Sequence, residues 1–248
     1  MTSPIAPNDD EKSHLFAGRR LSRRSFLAAT VAIPAAVALT DAAATAAAKA
    51  NFVQHGRRDI KQFALTFHGG GDPALAERVR VITKRLHAPI TVFAIGSWVD
   101  ANPATVKAFV ADGHELANHT ATHPSLRRLD RAGVASEIAG AAASLERVTG
   151  HIGFWFRPSG TPTPTTLMLE ESLRAGYPTV VGYEVDPLDY QDPGASKVAS
   201  RTLAAIQAGS IVSLHLGHSG TADALEQIIA GARTHGLRPV TVHTLLAS

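Results

Sequence analysis

Residues 63–95 read FALTFHGGGDPALAERVRVITKRLHAPITVFAI. Two short apolar runs, Phe63 to Phe67 and Ile90 to Ile95, have the length and composition of buried strands. Between them Leu75, Val79, Ile82 and Leu86 recur at helical spacing. The stretch therefore predicts strand, helix, strand. The same alternation continues outward: apolar runs at Glu115 to Asn118, Gly153 to Phe156, Thr179 to Val185, Ser210 to Leu214 and Pro239 to His243 are further candidate strands. Val134, Ile138, Ala141, Leu145 and Val148 form a second helical face, and Gly150 stands where a helix stops. Alternating strands and helices predict an α/β fold, a parallel sheet covered by helices. Periodicity alone leaves both an open doubly wound sheet and a short barrel open.

Composition is that of a globular protein, 45% hydrophobic and 18% charged over 248 residues. The net charge of +3 is concentrated at the start, because six of the 24 Lys/Arg but only four of the 21 Asp/Glu fall in the first fifty residues. No basic run with interleaved aromatics follows, which excludes the electrostatic footprint of a nucleic-acid binder. Absence of cysteine removes disulfides, thiolate nucleophiles and Cys-ligated metal, so any metal must sit on His and carboxylates.

Residues 1–50 read as an address, and 51–248 as the folded domain. Ser22-Arg23-Arg24-Ser25-Phe26-Leu27 places an arginine pair directly before an apolar run, Phe26 to Leu39, and a small-residue stretch, Ala42 to Ala48. The hexapeptide resembles the twin-arginine export signal. That resemblance implies passage through the twin-arginine machinery and a secreted or wall-associated product. The apolar run is shorter than the roughly 20 residues of a membrane span and contains Pro34, so no span is expected after cleavage, at Ala44 or Ala48.

In parallel α/β folds, ligands gather at the carboxyl ends of strands. The residues there are His68; Asn118-His119-Thr120-Ala121-Thr122-His123-Pro124; Arg157-Pro158-Ser159-Gly160; Asp186-Pro187-Leu188-Asp189-Tyr190; and His215. His119 and His123, four apart, can face one point from a helical turn and make half of a metal site. Taken in order, the set resembles the polysaccharide deacetylase family, the NodB-homology domain of carbohydrate esterases, over residues 60 to 248. The resemblance implies a distorted seven-stranded (β/α) barrel. It further implies a bound divalent metal, usually zinc, and removal of acetyl groups from N-acetylhexosamine polymers such as peptidoglycan, or from acetylated xylan. By the same resemblance His119 and His123 hold the metal and Arg157 orients the catalytic base. Asp189 tunes a histidine, Tyr190 forms an aromatic wall, Leu214 lines the acetyl pocket and His215 protonates the leaving amine.

Where the family has Thr-Phe-Asp-Asp-Gly-Pro, this chain has Thr66-Phe67-His68-Gly69-Gly70-Gly71. Both carboxylates, base and third metal ligand, are replaced, and a glycine can neither bind an ion nor take a proton. Asp72 is the nearest remaining carboxylate. Three readings follow. His68 replaces the base, kept neutral by the nearby Arg157 cation; or His68 reaches the ion and completes a three-histidine site; or the site is degenerate and the domain binds cell-wall glycan without turning it over. The leading expectation is a metal-dependent hydrolase of an acetylated polysaccharide outside the cytoplasm. The competing one is the glycan-binding protein, and hydrolysis of a small amide is a third, because with 6% aromatics sugar-stacking platforms are few.

Overall fold

A computed structural model describes residues 48–247. In chain order its strands are β1 (Asn51–Val53), β2 (Gln62–Gly69), β3 (Thr91–Ala94), β4 (Glu115–Asn118), β5 (Thr179–Val181), β6 (Ile211–His215) and β7 (Arg238–Val240). Its helices are α1 (Pro73–Arg85), α2 (Gly96–Ala101), α3 (Pro103–Ala111), α4 (Arg131–Thr149), α5 (Thr166–Arg174), α6 (Ala195–Ala205), α7 (Ser219–Thr234) and α8 (Val242–Ala247). The arginine pair and apolar run of the export signal lie outside the described residues. Among the described residues no helix is long and apolar enough to cross a membrane.

The strand β2 is the hub. It pairs in parallel with β3 on one side and β6 on the other, and with β7 along its first residues, while β3 continues to β4. A separate parallel pair joins β1 to β5. Single parallel bridges, Asn118 to Phe156, Phe156 to Val180 and Val185 to Val212, connect the two sheets on the remaining side. The result is an α/β fold of parallel strands and helices in which ladders alternate with one-residue bridges. That interruption is what distorts it from a regular barrel.

Three expected strands shorten for local reasons. Residues 153–156 contribute only the bridge at Phe156, because Gly153 turns the chain at φ +80° where a Cβ would come 2.8 Å from the Leu116 carbonyl. The run 179–185 keeps regular pairing only to Val181, and 239–243 passes into α8 at Val242. In turn, β1 adds a strand too short for periodicity to register.

Helix faces follow the predicted spacing. Val134, Ile138, Ala141 and Leu145 of α4 are buried, and Gly150 closes that helix at φ +88°. In α1, Val79 is buried while Ile82 and Leu86, its next turn, pack against the same core as Phe63, Leu65 and Phe67 of β2. With β2, β3, β4 and β6 parallel, their carboxyl ends open on one side. The polar residues that follow them meet there.

Candidate metal centre and catalytic cleft

The register of β2 against β6 puts His68 opposite His215, and their rings lie 4.4 Å apart. His119 leaves the end of β4, and its ring stands edge-on to His68 at 4.4 Å. Fully buried, it donates from Nδ1 to the Arg157 carbonyl at 2.9 Å. A carbonyl only accepts, so Nδ1 carries the proton and Nε2 a bare lone pair. That Nε2 is buried and has no hydrogen-bond partner. An orphaned buried acceptor costs about 1–3 kcal/mol, and a cation is a natural partner for it.

His123 completes the group from an irregular turn, not from the helical turn expected of the spacing. Thr120 and His123 both have left-handed backbone, at φ +70° and +64°. The turn is pinned on several sides. Thr120 N donates to Asn118 Oδ1 at 2.9 Å, Thr122 N and Oγ1 donate to the Glu137 carboxylate, and Ala121 N donates to the Glu137 carbonyl. One ring nitrogen from each of His68, His119 and His123 lies within 4.8 Å of the others. Burial foremost, and then neighbouring imidazoles, hold the pKa of His68 and of His119 well below the ordinary histidine range; for His68 the Arg157 cation adds to this. Neutral rings expose lone pairs, and an all-imidazole set suits zinc and similar divalent ions.

Beside this group stands a histidine–aspartate pair. Asp189, on a 3-10 turn, is buried and accepts from His215 Nδ1 through Oδ1 at 2.8 Å. Its Oδ2 accepts from His215 N at 2.8 Å and from Thr221 Oγ1 at 2.6 Å. The His215 ring is thereby fixed with Nδ1–H on the carboxylate and Nε2 toward the cleft. Tyr190, exposed, meets the His215 ring edge-on at 5.3 Å.

Several expected residues sit elsewhere. The Arg157 guanidinium donates to the Val181 carbonyl at 3.0 Å, to the Gly182 carbonyl at 2.9 Å and to Thr66 Oγ1 at 2.9 Å, and stacks over Phe93 at 3.9 Å. It holds no base by hydrogen bond, and burial pushes its pKa down to about 9. Its carbonyl, not its side chain, does the orienting, at His119. Leu214 is fully buried in the core with Phe67 and Leu225. It alternates away from Ser213 and His215 and lines neither cleft described below. Asp72 caps α1, accepting from Ala74 N at 2.8 Å, and is not in the ligand group.

Two clefts share His68, His123 and His215. One, about 330 Å³, is walled by Pro158, Thr161, Tyr183, Asp186 and Tyr190. The other, about 240 Å³, is walled by Gly70, Gly71, Ile95, Gly217 and His218. Sequence reasoning gave no site role to Tyr183, Ser213 or His218. Ser213 Oγ lies 3.0 Å from His68 Nε2, and His218 Nδ1 lies 2.8 Å from Asp192 Oδ1. The alternation of β6 was the available signal for Ser213. A further hollow of about 260 Å³ opens near Glu115, at the other end of β4. There the carboxylate is already satisfied by Thr91 Oγ1, Trp155 Nε1 and His243 N.

The polysaccharide deacetylase family profile matches residues 55–180. A chitooligosaccharide deacetylase of Bradyrhizobium sp. (strain ANU 289) is 35% identical over 163 residues, covering 62% of this chain and 70% of the relative. A peptidoglycan-N-acetylglucosamine deacetylase of Bacillus cereus is 31% identical over 190 residues, covering 75% and 88%. In fold the chain is similar to BA3943, a CE4 family pseudoenzyme from Bacillus anthracis. The TM-score is 0.74 at 23% identity, covering 78% of this chain and 68% of that one. Site order, profile and relatives agree: this chain belongs to the polysaccharide deacetylase family.

Proposed function

We propose that the chain is a metal-dependent hydrolase that removes acetyl groups from an extracytoplasmic polysaccharide, cleaving the amide of an N-acetylhexosamine or an acetyl ester. The observation that carries this is the buried, unpartnered Nε2 of His119, converging with His68 and His123 beside the His215–Asp189 pair. A divalent cation held there, zinc by its all-nitrogen donors, supplies Lewis acidity toward the acetyl carbonyl. Nε2 of His215 is placed to take the proton of an attacking water. The buried Asp189 carboxylate stabilises the resulting imidazolium, which returns the proton to the leaving amine or hydroxyl. Tyr190, Tyr183 and Asp186 offer the sugar a ring face and hydrogen-bonding groups in the larger cleft.

The relatives' names support the amide reading, and the twin-arginine hexapeptide supports export. The domain, loaded with zinc or cobalt, should release acetate from chitooligosaccharide, peptidoglycan or acetylxylan. His215→Ala should lower kcat by about 10²–10⁴-fold. A folded, metal-loaded protein that frees no acetate from any of the three sinks the assignment; if it also retains the polysaccharide, it is a glycan-binding protein.

A further inference from the structure

We infer that His68 is the third metal ligand of this chain, acting through Nδ1, and that Ser213 is the positioning residue that makes it so. The inference rests on the metal-dependent reading of the same site. Ser213 is 1% exposed, and its Oγ lies 3.0 Å from His68 Nε2, which leaves Nδ1 as the nitrogen available to the group formed with His119 and His123. The contact is built into the strands. In the β2–β6 ladder Thr66 pairs with Ser213 and His68 with His215, so Ser213 and His215 share the face that meets the cluster.

The Ser213 hydroxyl can both donate and accept, so its contact with His68 Nε2 can run in either direction. Only one of the two directions leaves His68 able to ligate from Nδ1. In it His68 Nε2–H donates to Ser213 Oγ and Nδ1 keeps its lone pair, the tautomer that a cation bound at Nδ1 selects. A hydrogen bond to the distal nitrogen is the usual way a protein selects the ligating nitrogen of an imidazole.

Gly69 explains why the donor comes from His68. A Cβ at Gly69 would stand 2.7 Å from Val92 Cγ1 and 2.9 Å from Ala94 Cα, so the position next to His68 has no room for a side chain. No carboxylate can enter the site from there without displacing β3. Nor is His68 braced as a base, since the hydrogen bonds of the Arg157 guanidinium go to Thr66, Val181 and Gly182. Proton transfer rests with His215, and His68 is left to bind.

X-ray absorption on the zinc-loaded wild-type protein should count three imidazoles, and nitrogen-15 spectra should show His68 protonated at Nε2 and metallated at Nδ1. Ser213→Ala should weaken zinc binding about 10–100-fold by competition with a chelating dye. Ser213→Thr, which keeps the hydroxyl, should recover most of it. His68→Ala should lose more, and adding Gly69→Asp to it should restore nothing. A shell of two imidazoles, a His68 that titrates freely in the loaded protein, or a folded Ser213→Ala variant with wild-type affinity overturns the inference. If that protein still binds one zinc and frees acetate, only the assignment of His68 falls. Failure of the wild type to bind zinc removes the underlying hydrolase reading as well.

Discussion

Both oxygens of Asp189 are occupied, Oδ1 by the ring of His215 and Oδ2 by its backbone and Thr221. Asp189→Asn replaces an acceptor with a group that can donate, which favours the opposite tautomer of His215. Steady-state acetate release should fall by about 10²–10⁴-fold in kcat with KM little changed. A second residue-scale prediction concerns pH. His114, 5% exposed, is held down to about 4 by burial. As pH falls from about 6.5 to about 4 the unfolded chain takes up a proton at this residue that the native chain refuses. Stability present above the unfolded value is lost on the way down, by about 3 kcal/mol from this group. His68 and His119 act with the same sign. Urea unfolding at pH 7 and pH 4.5 should show a clearly smaller acid loss in His114→Gln than in the wild type. The site histidines were legible in the sequence because each closes a recognisable strand-end motif. Ser213 and Tyr183 were not, since their partners lie across the sheet. Leu214 was misplaced by one step, because in a strand the neighbour that shares a face with His215 is two residues away.

At the scale of elements, alternating strands and helices were readable because short apolar runs and 3.6-residue spacing differ so plainly. Strand ends were not: backbone bridges at Phe156 and Val185 depend on partners far along the chain. Asp72 is a case where element and site make different demands. As a carboxylate next to the altered motif it invited a role at the metal, yet it faces the first turn of α1. Asp72→Ala should therefore cost about 1 kcal/mol of stability. Zinc affinity and acetate release should remain at wild-type level, and a drop in affinity would return Asp72 to the site. The loop carrying His119 and His123 shows the opposite economy. Its two left-handed non-glycine residues cost of order 1–3 kcal/mol each, offset by the bonds from Asn118 and Glu137 that hold the turn.

For the whole molecule, periodicity supplied the elements but not how they close on each other, and the barrel-like arrangement was legible only through the family resemblance. A cation that binds the folded chain alone stabilises it by mass action. Free zinc at about a hundredfold its Kd should raise unfolding free energy by about 3 kcal/mol at pH 7, and excess chelator should cancel the gain. His119→Ala should abolish the response. The three imidazoles are unequally covered: His119 is buried, His68 partly so, and His123 exposed. A guest ion would thus be least covered at His123, which both clefts share, and His123, on its constrained turn, is the latch. Exchange of one metal for another should be paced by release at His123, so His123→Ala should speed ion turnover more than it weakens occupancy, while the inner pair keeps the ion's seat.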